Sequence, residues 1–128
     1  VIFSFLIGNA DGHGKNYSLL YSSMTPQLAP AYDLLSTAVY PSLSQKMAMK
    51  IGGEYDPRHV YQKNWLRMVP DTKLAQKIII SEITHMAERI LDASGSLLTE
   101  FQREDMDNPI LHEIVKIIHS RSNRIRQL

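Results

Sequence analysis

The sequence contains no cysteine. That excludes a disulfide framework and a thiolate metal site, and it fits a reducing, cytoplasmic setting. It also lacks any strong excess of charge. The formal net charge is +1, so the global balance does not call for nucleic acid or an anionic membrane. No apolar run reaches the roughly 18 residues of a membrane span. The opening VIFSFLIG is apolar but short, with no basic flank before it and no small-residue cleavage site after it, so it does not read as a signal peptide. There is no initiator methionine. Val1 starts the apolar run at once, without a cap, and the expectation is a chain that begins inside an element of a longer protein. Repeats and low-complexity tracts are missing too. What remains is 128 residues with 44% apolar content, enough for one domain with a hydrophobic core.

The pattern along the chain predicts a mainly α fold. Residues 1–8 are apolar on all sides and read as the end of a buried helix. GNADGHGKN at residues 8–16 is loop. Residues 17–21 and 27–29 read as two strands of a small hairpin around a turn at 22–26. Residues 30–44 look irregular. Residues 46–51 alternate like a strand and end at Gly52-Gly53. Asp56-Pro57 starts a helix expected to run to about Val69, where Pro70 stops it. Asp71 or Thr72 caps the next. Its stripe is Leu74, Ile78, Ile79, Ile83, Met86, Ala87, Ile90 and Leu91, and Ser94-Gly95-Ser96 is expected to break it. Asn108-Pro109 starts the last helix, with Ile110, Leu111, Ile114, Val115, Ile118 and Ile125 on one face.

The loop carries the chemistry. In Asp11-Gly12-His13-Gly14-Lys15-Asn16 an aspartate and an asparagine are separated by four residues, and Asp33 follows the hairpin. Phosphoryl transfer from ATP needs such a set. One carboxylate orients the attacking hydroxyl and takes its proton, while a neutral oxygen and a second carboxylate hold Mg²⁺ against the phosphates. The D-x-x-x-x-N spacing with a further Asp beyond a hairpin is the protein-kinase pattern. Gly12 and Gly14 let the backbone approach phosphate oxygens.

GNADGHGKNYSLL resembles the N-x-D-x-H-x-K-N loop of HipA-type serine/threonine kinases, and APAYDLLS resembles their Pro-x-Tyr-Asp segment. KMAMKIGG and PRH resemble stretches that follow in the same order. The likeness covers most of the first 60 residues. It implies that 1–128 is the helical C-terminal lobe of a protein-kinase-like fold, with a small β-hairpin beside the catalytic loop. It also implies Asp11 as catalytic base and Asn16 and Asp33 as Mg²⁺ ligands. His13, Gly14, Lys15, Asn16, Tyr32 and Asp33 would line the ATP site. Lys15 would offset phosphate charge; where most protein kinases carry a lysine two places after the Asp, this chain has His13, as the family does. Further implications are toxin activity in a bacterial toxin–antitoxin pair, a HipB-like helix-turn-helix antitoxin that binds operator DNA, and protein substrates such as aminoacyl-tRNA synthetases. DNA would be met only through the antitoxin. No upstream glycine-rich loop or strand lysine is present to hold the α- and β-phosphates, so this chain alone is expected not to transfer phosphate.

Two other functions compete. Aminoglycoside- or choline-type kinases use a similar loop, usually with His two residues before the Asp; here Asn9 holds that place. A non-catalytic scaffold could keep the same fold, against which the intact Asp11, Asn16 and Asp33 count. Individual residues also have plainer roles. His13 reads better as a loop-orienting residue than as a metal ligand, and Asp33 could cap a turn. His59, His85, His112 and His119 read as solvated or packing residues. Arg121 to Arg126 read as a solvated helix end. Lys63 and Arg67, one turn apart, are a thin signal for phosphate. Trp65 and the methionines read as core.

Overall fold

The computed structural model describes residues 1–21 and 24–126. It is mainly helical with one two-stranded antiparallel sheet. Helix α1, Ile2–Ile7, ends at Gly8, whose φ of 81° puts it in the left-handed region. The Gly8 N–H donates to the Phe5 carbonyl and Asn9 N–H to Ser4 (2.9 Å). Glycine is required here twice over. Its φ disfavours other residues, and an added Cβ would lie 2.9 Å from Ile117 Cγ2 and 3.1 Å from Ala38 Cβ. Only one side of α1 is buried. Phe5, Leu6 and Ile7 enter the core, while Val1 and Phe3 stay exposed, so the expectation of a helix buried all round does not hold.

The hairpin forms as expected, with β1 at Leu19–Leu20 and β2 at Gln27–Leu28, in the register Leu19 opposite Leu28. Of the expected turn between them, Ser22 and Ser23 lie outside the described residues. Residues 46–51 form no strand. Burial does alternate, with Met47 and Ile51 inside. Their backbone donors, however, go to separate acceptors: Met47 N–H to Tyr55, Ala48 N–H to Ala10, and Ile51 N–H to Glu54. Alternation therefore marks a half-buried segment without a partner strand.

The helix expected from Asp56 to Val69 is split. Asp56 caps a short 3₁₀ turn, Pro57–His59, by accepting from Arg58 N–H. Val60 is extended and buried, and helix α2 runs Gln62–Leu66. The interruption has a local cause: Asn64 Oδ1 accepts from Tyr61 N–H (2.9 Å) and restarts the helix, while its Nδ2 reaches the Gly52 carbonyl (3.3 Å). Thr72 then caps α3, Lys73–Arg103, by accepting from Ala75 N–H. This helix passes through Ser94-Gly95-Ser96 unbroken, for a length of about 46 Å. The Ser94 hydroxyl donates to the Leu91 carbonyl, Thr99 donates to Gly95, and Ser94 itself is buried. The burial of Ile83, Ala87, Ile90 and Ser94 ahead of Gly95, with Leu98 and Phe101 half-buried after it, outweighs its ~1 kcal/mol helix cost. The stripe begins later than its sequence suggests, since Leu74 and Ile78 are exposed.

Asn108 caps α4, Pro109–Arg126, through Ile110 N–H. Helices α1, α3 and α4 pack around Phe5, Leu6, Ile83, Ala87, Ile90, Ile118 and Ile125. Trp65 closes this core edge-on to Phe5, with centroids 5.4 Å apart. Among the methionines, Met47 is core, but Met24, Met68 and Met106 are exposed.

The end of α4 is not the solvated tail that its composition suggests. Arg121 is buried, donates to the Phe5 carbonyl and sits over the Phe5 ring at 5.2 Å. Burial, with Arg124 nearby, pushes its guanidinium down to about 10, which leaves it charged at neutral pH. The cation thus meets the carbonyl end of α1, where the helix dipole favours it.

Two glycines give opposite predictions. At Gly95 an added Cβ meets nothing within 4 Å. Gly95→Ala should stabilise the domain by about 0.5–1 kcal/mol, seen as a melting temperature a few degrees higher. At Gly52 (φ 52°) a Cβ would lie 2.0 Å from the Asn64 carbonyl oxygen. Gly52→Ala should lower the melting temperature sharply or prevent folding. Equal melting temperatures for the two variants would contradict this account of both glycines.

Candidate functional site

The loop after α1 is held by side chains more than by secondary structure. Asn9 is buried. Its Oδ1 accepts from Asp11 N–H (3.0 Å), and its Nδ2 donates to the Asp33 carbonyl (3.1 Å), 24 residues away. Ala10 N–H donates to Thr37 Oγ1 (2.8 Å), and the Ala10 carbonyl accepts from Ala48 N–H (2.7 Å). Ala38 N–H donates to the Gly8 carbonyl (2.9 Å). The backbone leading into Asp11 is thus anchored, while Asp11 itself is exposed. Among the described residues its carboxylate has no hydrogen bond or ion pair, so it is free to accept one from outside.

The other half of the loop is a 3₁₀ turn, Gly14–Asn16. Asn16 Oδ1 accepts from His13 N–H (3.0 Å) and Asn16 Nδ2 donates to Asp33 Oδ2 (2.7 Å). Asp33 has φ 56°, in the left-handed region that Asp tolerates better than most residues, and Asn9 braces its carbonyl there. Tyr32 donates its hydroxyl proton to the Lys15 carbonyl (2.7 Å), with Ser18 Oγ 3.2 Å away. The hairpin therefore does return Asp33 and Tyr32 to the loop.

These residues divide between two hollows. Asp11 lines a cleft of about 700 Å³ with Ser44, Lys46, Met47 and Tyr55. Asn16, Tyr32 and Asp33 line a smaller one of about 160 Å³, with Phe3 and Gly12. His13 is half-buried, and its Nδ1 is buried without a hydrogen-bond partner among the described residues. Lys15 is exposed. Neither Gly12 nor Gly14 has a positive φ, and a Cβ at Gly14 would meet nothing within 4 Å, so the chain's own packing does not demand glycine there.

The Asn16–Asp33 pair is chemically suited to a hard divalent cation. The hydrogen bond from Asn16 Nδ2 to Asp33 Oδ2 (2.7 Å) brings the amide and the carboxylate together, and Asn16 Oδ1, which accepts from His13 N–H, keeps a second lone pair. Among the described residues no group of three His, Cys, Asp or Glu forms a metal site. One carboxylate and one amide leave the rest of a coordination shell to water and phosphate, which is how Mg²⁺ is commonly held.

Residues 1–94 match the family model of the HipA-like C-terminal domain. The chain belongs to that family. The candidate kinase Y4mE of Sinorhizobium fredii is 32% identical over 98% of this chain, and this chain spans 30% of its length. The serine/threonine-protein kinase toxin HipA of Shewanella oneidensis is 34% identical over 83% of the chain, which spans 24% of it. A structure of that organism's HipA with HipB and operator DNA superposes on this HipA-like domain with a TM-score of 0.81 and 28% identity, over 98% of this chain and 31% of that one. The domain thus spans under a third of the length of these relatives.

Two anchors escaped the sequence reading: Asn9 as the bridge to Asp33, and Thr37 as acceptor for Ala10. Asn9 carried a local signal, since an Asn two residues before another residue commonly caps its N–H. Thr37 carried none. Asn9→Ala should strand the Asp11 N–H and the Asp33 carbonyl, at a cost of about 1–3 kcal/mol. Urea unfolding reads this as a lower midpoint at constant m. A loss below about 0.5 kcal/mol, the range of a neutral surface change, would show that this amide does not hold the site.

Proposed function

We propose that this HipA-like domain is the catalytic-loop part of a serine/threonine protein kinase. The observation that carries the reading is the meeting of Asn16 and Asp33, 17 residues apart, at 2.7 Å on the loop that presents Asp11. In this reading Asn16 and Asp33 hold Mg²⁺. When bound, the cation offsets the charge of the phosphates. His13 to Asn16 and Tyr32 border the nucleotide, and Lys15, exposed at the rim, faces its phosphates. Asp11 orients a serine or threonine hydroxyl of a protein substrate. As the hydroxyl oxygen bonds to the γ-phosphorus and the bond to the β–γ bridging oxygen breaks, the hydroxyl proton passes to the Asp11 carboxylate and ADP departs.

The 128 residues are taken as one domain of a longer enzyme whose other part grips the nucleotide. By analogy with the Shewanella complex, the partner is a HipB-like antitoxin, with operator DNA met through it. The setting is the bacterial cytoplasm; no described helix is long and apolar enough to cross a membrane.

Two measurements follow. Purified alone, the chain should show no phosphate incorporation from γ-labelled ATP; robust labelling that Asp11→Ala abolishes would refute the need for further chain. Joined to the remainder of a HipA-type kinase, Asp11→Asn should retain ATP affinity but lose about 10²–10⁴-fold in turnover, because the shape stays and the proton acceptor goes. Full turnover in that variant would reject Asp11 as the base.

A further inference from the structure

Three arginines line one cleft of about 390 Å³ between α4 and the Pro57–His59 turn: Arg58, Arg121 and Arg124. Gln45 and Ser120 complete its polar lining. Among the described residues one carboxylate, Asp56, pairs with these guanidinium groups, and Glu54 accepts from the Asp56 N–H (2.8 Å). Asp56 pairs with Arg58 through Nε (2.9 Å) and Nη2 (2.6 Å), and this pairing raises the Arg58 guanidinium and holds the Asp56 carboxyl well below its usual range. Arg121 and Arg124 have no carboxylate partner among the described residues. Arg124 donates to the carbonyls of Pro57 and Arg58, and Arg121 uses Nη1 on the Phe5 carbonyl. The Arg121 Nε and Nη2 have no protein partner among the described residues and are not sealed from solvent. Two cations therefore line a cleft with donors to spare and no carboxylate bonded to either among the described residues.

We propose that this cleft binds a phosphomonoester dianion. Such a group carries about −1.5 to −2 at neutral pH and offers three acceptor oxygens, which suits converging guanidinium forks. The depth of the cleft selects the ligand. Arg121 is only 9% exposed, at the base of α4, while the Arg58 side chain is 78% exposed at the rim. A terminal phosphate on a flexible side chain reaches both. A duplex backbone, whose phosphates are diesters along a broad surface, meets the rim alone. The cleft is a separate site from the Asp11 loop: no residue that lines it lines either of the loop's hollows.

The test uses the 128-residue chain and a fluorescent serine peptide in three forms: phosphorylated, unmodified, and with glutamate in place of the serine. Anisotropy should show the phosphopeptide binding at least about ten-fold tighter than either other form. Inorganic phosphate should displace it. A free-phosphate affinity equal to the peptide's identifies phosphate itself as ligand, and a weaker one identifies a phosphorylated side chain; both support the cleft. Ser120→Glu puts a carboxylate in the cleft at an exposed position. It should abolish binding at an unchanged melting temperature, and Arg124→Gln should weaken it about five-fold or more. Equal affinity for the three peptides would overturn the proposal. So would Ser120→Glu binding like the parent, or duplex DNA binding that the phosphopeptide does not displace.

Discussion

The Asn9 side chain is the constraint on which the rest of the site depends. One buried amide fixes the backbone at Asp11 with its oxygen and at Asp33 with its nitrogen. The amide itself is placed by the left-handed turn at Gly8, which no Cβ can share with Ile117 and Ala38. Helix α1 therefore delivers the loop, and α4 holds α1 in turn, through Ile117 against Gly8 and Arg121 on the Phe5 carbonyl. Core packing and site geometry are joined over a few residues. A change in either is expected to reach the other, because buried polar groups that lose a partner keep their desolvation cost.

How much of this was legible in the sequence depended on range. Caps were legible because they act locally: Asp56, Thr72 and Asn108 each bind an N–H two or three residues ahead. The hairpin and the return of Asp33 to Asn16 were legible from turn residues and the kinase-like spacing. Breaks and continuations were not. Gly95 reads as a helix breaker until the burial of Ser94 beside it is known, and Val60 reads as helix until its place in the core is known. The alternation at 46–51 had the right burial but no neighbouring strand, and periodicity alone cannot supply one. The bridge made by Asn9 was missed and Arg121 was misread for one reason: their partners lie 24 and 116 residues away.

Membership of the HipA-like C-terminal family agrees with the arrangement of the loop. The domain contributes both sides of the proposed reaction in separate hollows, Asp11 facing one and the Asn16–Asp33 pair facing the other. Such a division lets the acceptor hydroxyl and the nucleotide approach the loop from different directions, as in-line transfer requires. The arginine cleft lies apart from both.

The proposed reaction rests most heavily on Asn16 and Asp33 forming one cation site on this loop. Paramagnetic relaxation tests it most directly, with Mn²⁺ as a probe for the hard oxygen ligands that also suit Mg²⁺. In ¹⁵N-labelled chain, Mn²⁺ should broaden the amide signals around Asn16 and Asp33 first, and Asp33→Asn should remove the effect. Broadening centred instead on the exposed Asp105 and Asp107, with the loop untouched, would contradict the account.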